Sequence, residues 1–220
     1  MSTCNECGEK RRGSGACEAC GVAAAVADAT QPRCSVLFTA DFADHGDPRG
    51  FHIHSTPRHT RIAGPPSELG IEVPETSDMI NLVSTSEHHP DGELGVSVRF
   101  TEEPRHEHDA FGIEVRASDL GDYVVRVAWS GAYAIGYHEG EAWGGYLVPW
   151  TRHAAIVRGV GPRNRLRVAV HDDSLRVVVN GVHLATVPAV MFTSGTLRVI
   201  GAPHGHGLRM ALSALQLRSV

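Results

Sequence analysis

From Ser35 onward, hydrophobic and polar residues alternate in short runs rich in β-branched side chains. Clusters of glycine, proline and aspartate break these runs roughly every ten residues, which is the texture of successive strands. Tyr123, Val125, Val127 and Trp129 fall on one side of their run, with Val124, Arg126 and Ala128 on the other. This predicts a half-buried strand. Leu166, Val168 and Val170 alternate in the same way with Arg167, Ala169 and His171. Asp172-Asp173-Ser174 then supplies turn residues, and Leu175, Val177 and Val179 lead into Asn180-Gly181. Both residues of that pair tolerate positive φ, so a type I′ hairpin is predicted. Further strands are expected over Val182 to Val187, Thr196 to Ile200 and Leu208 to Leu217. No helical stripe of useful length appears, so residues 35–220 are expected to form one all-β sandwich or barrel.

The first residues have a different texture. Cys4-x-x-Cys7 and Cys17-x-x-Cys20 are each followed by a glycine, Gly8 and Gly21. Two residues between thiolates let one turn aim both sulfurs at a single ion, and two such turns complete a tetrahedron. Two disulfides are the alternative, but a chain kept in a reducing compartment holds its thiols reduced. Residues 1–22 are therefore expected to be a zinc ribbon whose Zn2+ is structural: with four sulfur ligands it keeps no open position for catalysis. Lys10, Arg11 and Arg12 between the pairs either contact an acidic surface or form a solvated loop. Cys34 is left over as a small buried apolar residue or a reactive thiol. The alanine-rich residues 23–34 read as a linker.

Composition narrows the class. The chain has 220 residues, 42% hydrophobic and 20% charged, with a formal net charge of -5. These are the proportions of a globular protein, and the basic residues are too dispersed for a nucleic-acid surface. No stretch approaches the ~18 apolar residues of a membrane span, and the first residues lack a signal-like apolar region. A cytoplasmic location with no membrane partner is expected.

The runs Phe111-Gly112-Ile113-Glu114-Val115-Arg116-Ala117, Gly121-Asp122-Tyr123-Val124-Val125-Arg126-Val127, Asn164 to Val168, Leu175 to Gly181 and Ser194-Gly195-Thr196-Leu197 together resemble the concanavalin A-like lectin/glucanase superfamily. Phe38-Thr39-Ala40-Asp41-Phe42 is similar to the first strand of those domains. Laminin G-like and keto-disaccharide-hydrolase-like jelly rolls are similar in the same way, and the cysteine pairs resemble short bacterial zinc ribbons. The resemblance implies a two-sheet jelly roll of about twelve to fourteen strands. It also implies a choice between binding and hydrolysis, because the superfamily contains glycoside hydrolases. Their Glu-x-Asp-x-x-Glu run is missing here, and Glu114 with Arg116 at the next same-face position reads as an ion pair. No Gly-x-Ser-x-Gly elbow is present either. No catalytic residue is assigned, although carboxylates supplied by separate strands would escape this test.

Two clusters of candidate chemistry remain. Tyr133, Tyr137, Trp143, Tyr146 and Trp150 crowd a glycine-rich stretch, forming either a sugar-stacking platform at the rim or a cap on the core. Glu114, Arg116, Arg126, Arg167 and His171 are polar partners for such a platform, or else a solvated outer face. Among fourteen histidines, the pairs His52/His54, His106/His108 and His204/His206 have the spacing of a possible second metal site or of solvated loops. The expected function is a zinc-containing binding module that recognises a carbohydrate, a glycoconjugate or a protein surface. The alternatives are a hydrolase acting on a disaccharide-like substrate and a protein-binding scaffold.

Overall fold

The computed structural model describes residues 36–40, 51–53, 60–62, 68–73, 79–85 and 87–219. The cysteine pairs, the linker, Cys34 and the pair His52/His54 fall wholly or partly outside these residues. The described residues form fifteen strands and no helix, so no helix long and apolar enough to cross a membrane occurs among them.

The strands make two antiparallel sheets. The eight-stranded sheet contains β1 (Val36–Ala40), β3 (Thr60–Ile62), β4 (Leu69–Val73), β6 (Gly92–Phe100), β11 (Arg163–His171), β12 (Ser174–Val179), β13 (Val182–Pro188) and β15 (Leu208–Arg218). The seven-stranded sheet contains β2 (Phe51–Ile53), β5 (Ile80–Thr85), β7 (Ala110–Ser118), β8 (Gly121–Ala128), β9 (Ala132–Glu139), β10 (Ala142–Arg152) and β14 (Thr196–Ala202), in the order β10-β9-β8-β7-β14-β5-β2. This is the all-β, two-sheet jelly roll expected from the strand spacing, and the described residues hold one strand more than the upper end of that expectation.

Period-two alternation builds the core between the sheets. Leu94, Val96, Val98 and Phe100 of β6 and Leu166, Val168 and Val170 of β11 pack in one cluster with Phe111, Ile113 and Val115 of β7 and Tyr123, Val125 and Val127 of β8. Each is at most 2% exposed, and burying one such side chain contributes about 1.5–3 kcal/mol. The Asn180-Gly181 turn forms as expected. Its φ values are 51° and 80°, and Val179 pairs directly with Val182 across the two-residue loop. Asn180 Oδ1 also accepts the Arg165 N–H at 2.7 Å, tying the hairpin to β11.

Two expectations change. Strand β8 is buried on both faces rather than half-buried: Val124 and Ala128 are fully covered and Arg126 is 8% exposed. Its second face lies beneath other side chains of the same sheet, with Met79 and Trp150 packing over Ala110, Ala128, Ala132 and Ala202. Trp129 leaves the strand altogether, and its indole N–H donates to the His106 carbonyl at 2.7 Å.

Candidate functional site

The face of the seven-stranded sheet that points away from the core carries a cleft of about 1080 Å³. Side-chain parity puts the site there. Glu114 on β7 has the opposite parity to the core residues Ile113 and Val115. Asp122 and Arg126 on β8 share the parity of Val124, and His138 on β9 shares that of Ala134 and Gly136. Cross-strand register then gathers these side chains. Asp122 lies opposite His138, Glu114 opposite Val124, and Arg198 of β14 opposite Glu114.

At the floor sits a carboxylate with little compensation. Glu114 is 5% exposed, and its Oε2 makes no hydrogen bond although Arg198 Nη1 stands 3.5 Å away. Burial, reinforced by the nearby Asp122 charge, pushes the Glu114 carboxyl up from 4.5 to about 7. Asp122 instead pairs with His138, Oδ1 to Nδ1 at 2.9 Å. That hydrogen bond raises the His138 pKa against the opposing effect of burial. One ligand atom from each of Glu114, Asp122 and His138 lies within 4.8 Å of the others.

Trp143 of β10 lines the cleft, and Tyr146 packs edge-on against it, ring centroids 4.9 Å apart. The Arg126 guanidinium lies 4.9 Å from the Trp143 ring centroid, 5.7 Å from that of Tyr146 and 5.0 Å from that of Trp150. It donates to the Tyr146 hydroxyl at 3.3 Å, while burial lowers its pKa. Among the described residues no carboxylate comes within ion-pair distance of it, and its Nε has no hydrogen-bond partner. The ring faces therefore supply its stabilisation. Trp143 reaches this position because residue 136 is glycine: a Cβ there would stand 2.2 Å from Trp143 Cη2. The ring remains 41% exposed and Tyr146 46% exposed, so each offers free surface to a ligand.

Of the residues singled out from sequence, the structure brings Glu114, Arg126 and Trp143 into this cleft. The others lie elsewhere. Tyr133 is 5% exposed and packs into the core cluster, and Tyr137 packs against the same cluster, because both share the parity of Ile135. Arg167 belongs to the other sheet, where it stands 3.8 Å from Glu93. His171, also on that sheet, sits beside Asp91 and Asp172. Arg116 does not pair with Glu114. A break in the β7–β8 register and a φ of 54° turn its 3%-exposed side chain to donate to the carbonyls of Pro90, Ala189, Phe192 and Asp172 and to the Asp91 carboxylate. Sequence reasoning passed over Asp122, His138 and Arg198. The first two were signalled by their parity with Arg126 and Ala134, whereas Arg198 needs the β7–β14 pairing, which no local pattern reveals.

No family model and no curated protein matches the sequence. Solved structures do match. The carbohydrate-binding module CBM66 from Bacillus subtilis is similar with a TM-score of 0.53 and 11% identity over 77% of this chain and 96% of that one. An endo-β-galactosidase from Clostridium perfringens that releases GlcNAcα1-4Gal gives 0.62 and 8% over 86% of this chain and 63% of that one. A structure described with endo-acting O-glycanases of the human gut microbiota that initiate mucin breakdown gives 0.59 and 11%, covering 84% of this chain and 100% of that one. At such identities the likeness shows the fold alone, a two-sheet antiparallel β-sandwich, and function must be argued from the site.

Proposed function

We propose that the chain binds carbohydrate in the cleft on the outer face of the seven-stranded sheet. The observation that carries this reading is the exposed Trp143 ring, backed by Tyr146, in a cleft that also holds the polar groups of Glu114, Asp122, His138 and Arg126. A sugar ring has an apolar C–H face suited to an indole and equatorial hydroxyls suited to carboxylate, imidazole and guanidinium edges. The similarity to a carbohydrate-binding module and to glycan-acting enzymes supports the same assignment. A glycan array with the full chain is expected to show ligands, and Trp143→Ala is expected to weaken their binding about tenfold or more. Because Trp143 is 41% exposed, the substitution should cost no more than about 1–2 kcal/mol of stability. Binding unchanged in the variant would overturn the assignment.

A second reading, hydrolysis, has its own support. Glu114 and Asp122 bring two carboxylates together on adjacent strands of one sheet face, as a retaining glycosidase requires, and the raised pKa of Glu114 suits it to donate a proton to a leaving oxygen. Asp122 would then be the carboxylate that attacks the anomeric carbon, with His138 holding it in place.

For the N-terminal segment we propose a structural zinc ion held by Cys4, Cys7, Cys17 and Cys20, on the strength of their spacing. Replacing Cys4 and Cys7 by serine should release one zinc per chain and leave the thermal unfolding of the sandwich unchanged. A zinc count per chain equal to that of the wild type would exclude the ribbon.

A further inference from the structure

A second group of side chains gathers where two loops meet at one end of the seven-stranded sheet. The loop between β6 and β7 carries His106, His108 and Asp109, and the loop between β14 and β15 carries His204. Asp109 is fully buried and holds the loops together. Its Oδ2 accepts the His106 N–H at 2.9 Å and its Oδ1 accepts the His204 N–H at 2.8 Å. The rings are stacked, His106 on His204 at 4.6 Å between centroids and His108 on Trp150 at 4.4 Å.

Two features of this arrangement are unexplained by the protein alone. Among the described residues no lysine or arginine pairs with the Asp109 carboxylate, whose nearest candidate is His204 Nδ1 at 3.7 Å. Burying an uncompensated carboxylate is costly. The same His204 Nδ1 is itself buried without a hydrogen-bond partner, and such an orphan in a native structure calls for a missing water or ion. His106 Nδ1 accepts the His108 N–H at a long 3.2 Å, a weak bond that a metal ion on this nitrogen would replace. One ligand atom from each of His106, Asp109 and His204 lies within 4.8 Å of the others.

We propose that His106, Asp109 and His204 form a binding site for a divalent first-row metal ion, with zinc as its natural occupant. Two imidazoles and one carboxylate are a donor set that zinc accepts, and the ion supplies the positive charge that Asp109 lacks. The backbone hydrogen bonds to Asp109 use one lone pair on each oxygen and leave others free for the metal. The ion would fasten the two loops together next to Trp150, whose ring lies against the Arg126 guanidinium of the sugar cleft. The site stands independently of the carbohydrate reading.

The test counts zinc in the full chain after equilibration with Zn2+ and desalting, by native mass spectrometry. His106→Ala and His204→Ala are each expected to carry one zinc fewer per chain than the wild type, whereas His206→Ala, on the same loop as His204, should match the wild type. Any zinc held by the cysteine pairs is common to all four proteins and drops out of the comparison. Zinc should also raise the melting temperature of the wild type more than that of His204→Ala. Equal zinc counts in the wild type and both alanine variants, or an equal loss in His206→Ala, would overturn the proposal.

Discussion

Replacing Arg116 by methionine is expected to cost about 3–5 kcal/mol of stability, as breaking a buried charged network does. The guanidinium is 3% exposed and satisfies oxygens from three separate segments. Nε donates to Pro90 O at 2.9 Å, Nη1 to Ala189 O and Phe192 O at 2.8 Å each, and Nη2 to Asp172 O and to Asp91 Oδ1 at 3.2 Å. Methionine fills much of the same volume but donates nothing, so these carbonyls and the Asp91 carboxylate lose the guanidinium donor at once, and Asp91 keeps only the Asp172 N–H and His171. Lysine should recover only part of the loss, since three donors on one nitrogen cannot reproduce a planar fork that meets five acceptors. Urea denaturation at neutral pH measures this, and a loss below about 1 kcal/mol would show that water replaces the clasp. Glycan binding by the folded fraction should be unaffected, because every Arg116 contact lies away from the cleft.

Arg116 also shows where sequence reasoning reaches its limit. Strict alternation along Phe111, Ile113 and Val115 placed Glu114 and Arg116 together on the outer face, and for Glu114 the placement is right. One irregularity between Val115 and Ser118 redirects Arg116, and nothing in its neighbours' polarity announces a bulge. The core strands and the Asn180-Gly181 hairpin were legible because each rests on local chemistry: a period of two, and two residues suited to positive φ. Tyr133 and Tyr137 were legible in principle, since they share parity with Ile135, but their density drew attention to the rim instead. Trp143, Tyr146 and Trp150 were not, because three register shifts along β10 break the parity that would relate them. The rest of the cleft depends on strand neighbours distant in sequence, as with Glu114 and Arg198, and the histidine group depends on two loops that meet, as with His106 and His204.

The stability of the wild type is expected to fall as pH rises from about 4.5 to about 7, and Glu114→Gln should remove most of that slope. The sign follows from the direction of the shift. Glu114 has its pKa raised to about 7 in the fold, so the folded chain prefers the protonated carboxyl. That preference stabilises fully below the ordinary carboxylate value and is lost as pH passes about 7. A shift of this size corresponds to at most about 3 kcal/mol, shared with the Asp122 and His138 charges to which Glu114 is coupled. His138, raised by its bond to Asp122, acts in the same direction: its stabilisation is complete below the ordinary histidine value and fades above it. Urea midpoints at pH 5 and pH 8 for both proteins measure the effect, and identical slopes would mean that Glu114 ionises freely. The same variant separates the two functional readings. Glutamine keeps the shape and a hydrogen-bonding edge but carries no transferable acid proton, so a pure binding site should retain glycan affinity within about threefold. A hydrolase would retain binding yet lose about a hundredfold or more in release of reducing ends from the same glycan. If the wild type releases none at pH 5 to 6, where Glu114 is protonated, hydrolysis is excluded and the cleft is a site of recognition alone.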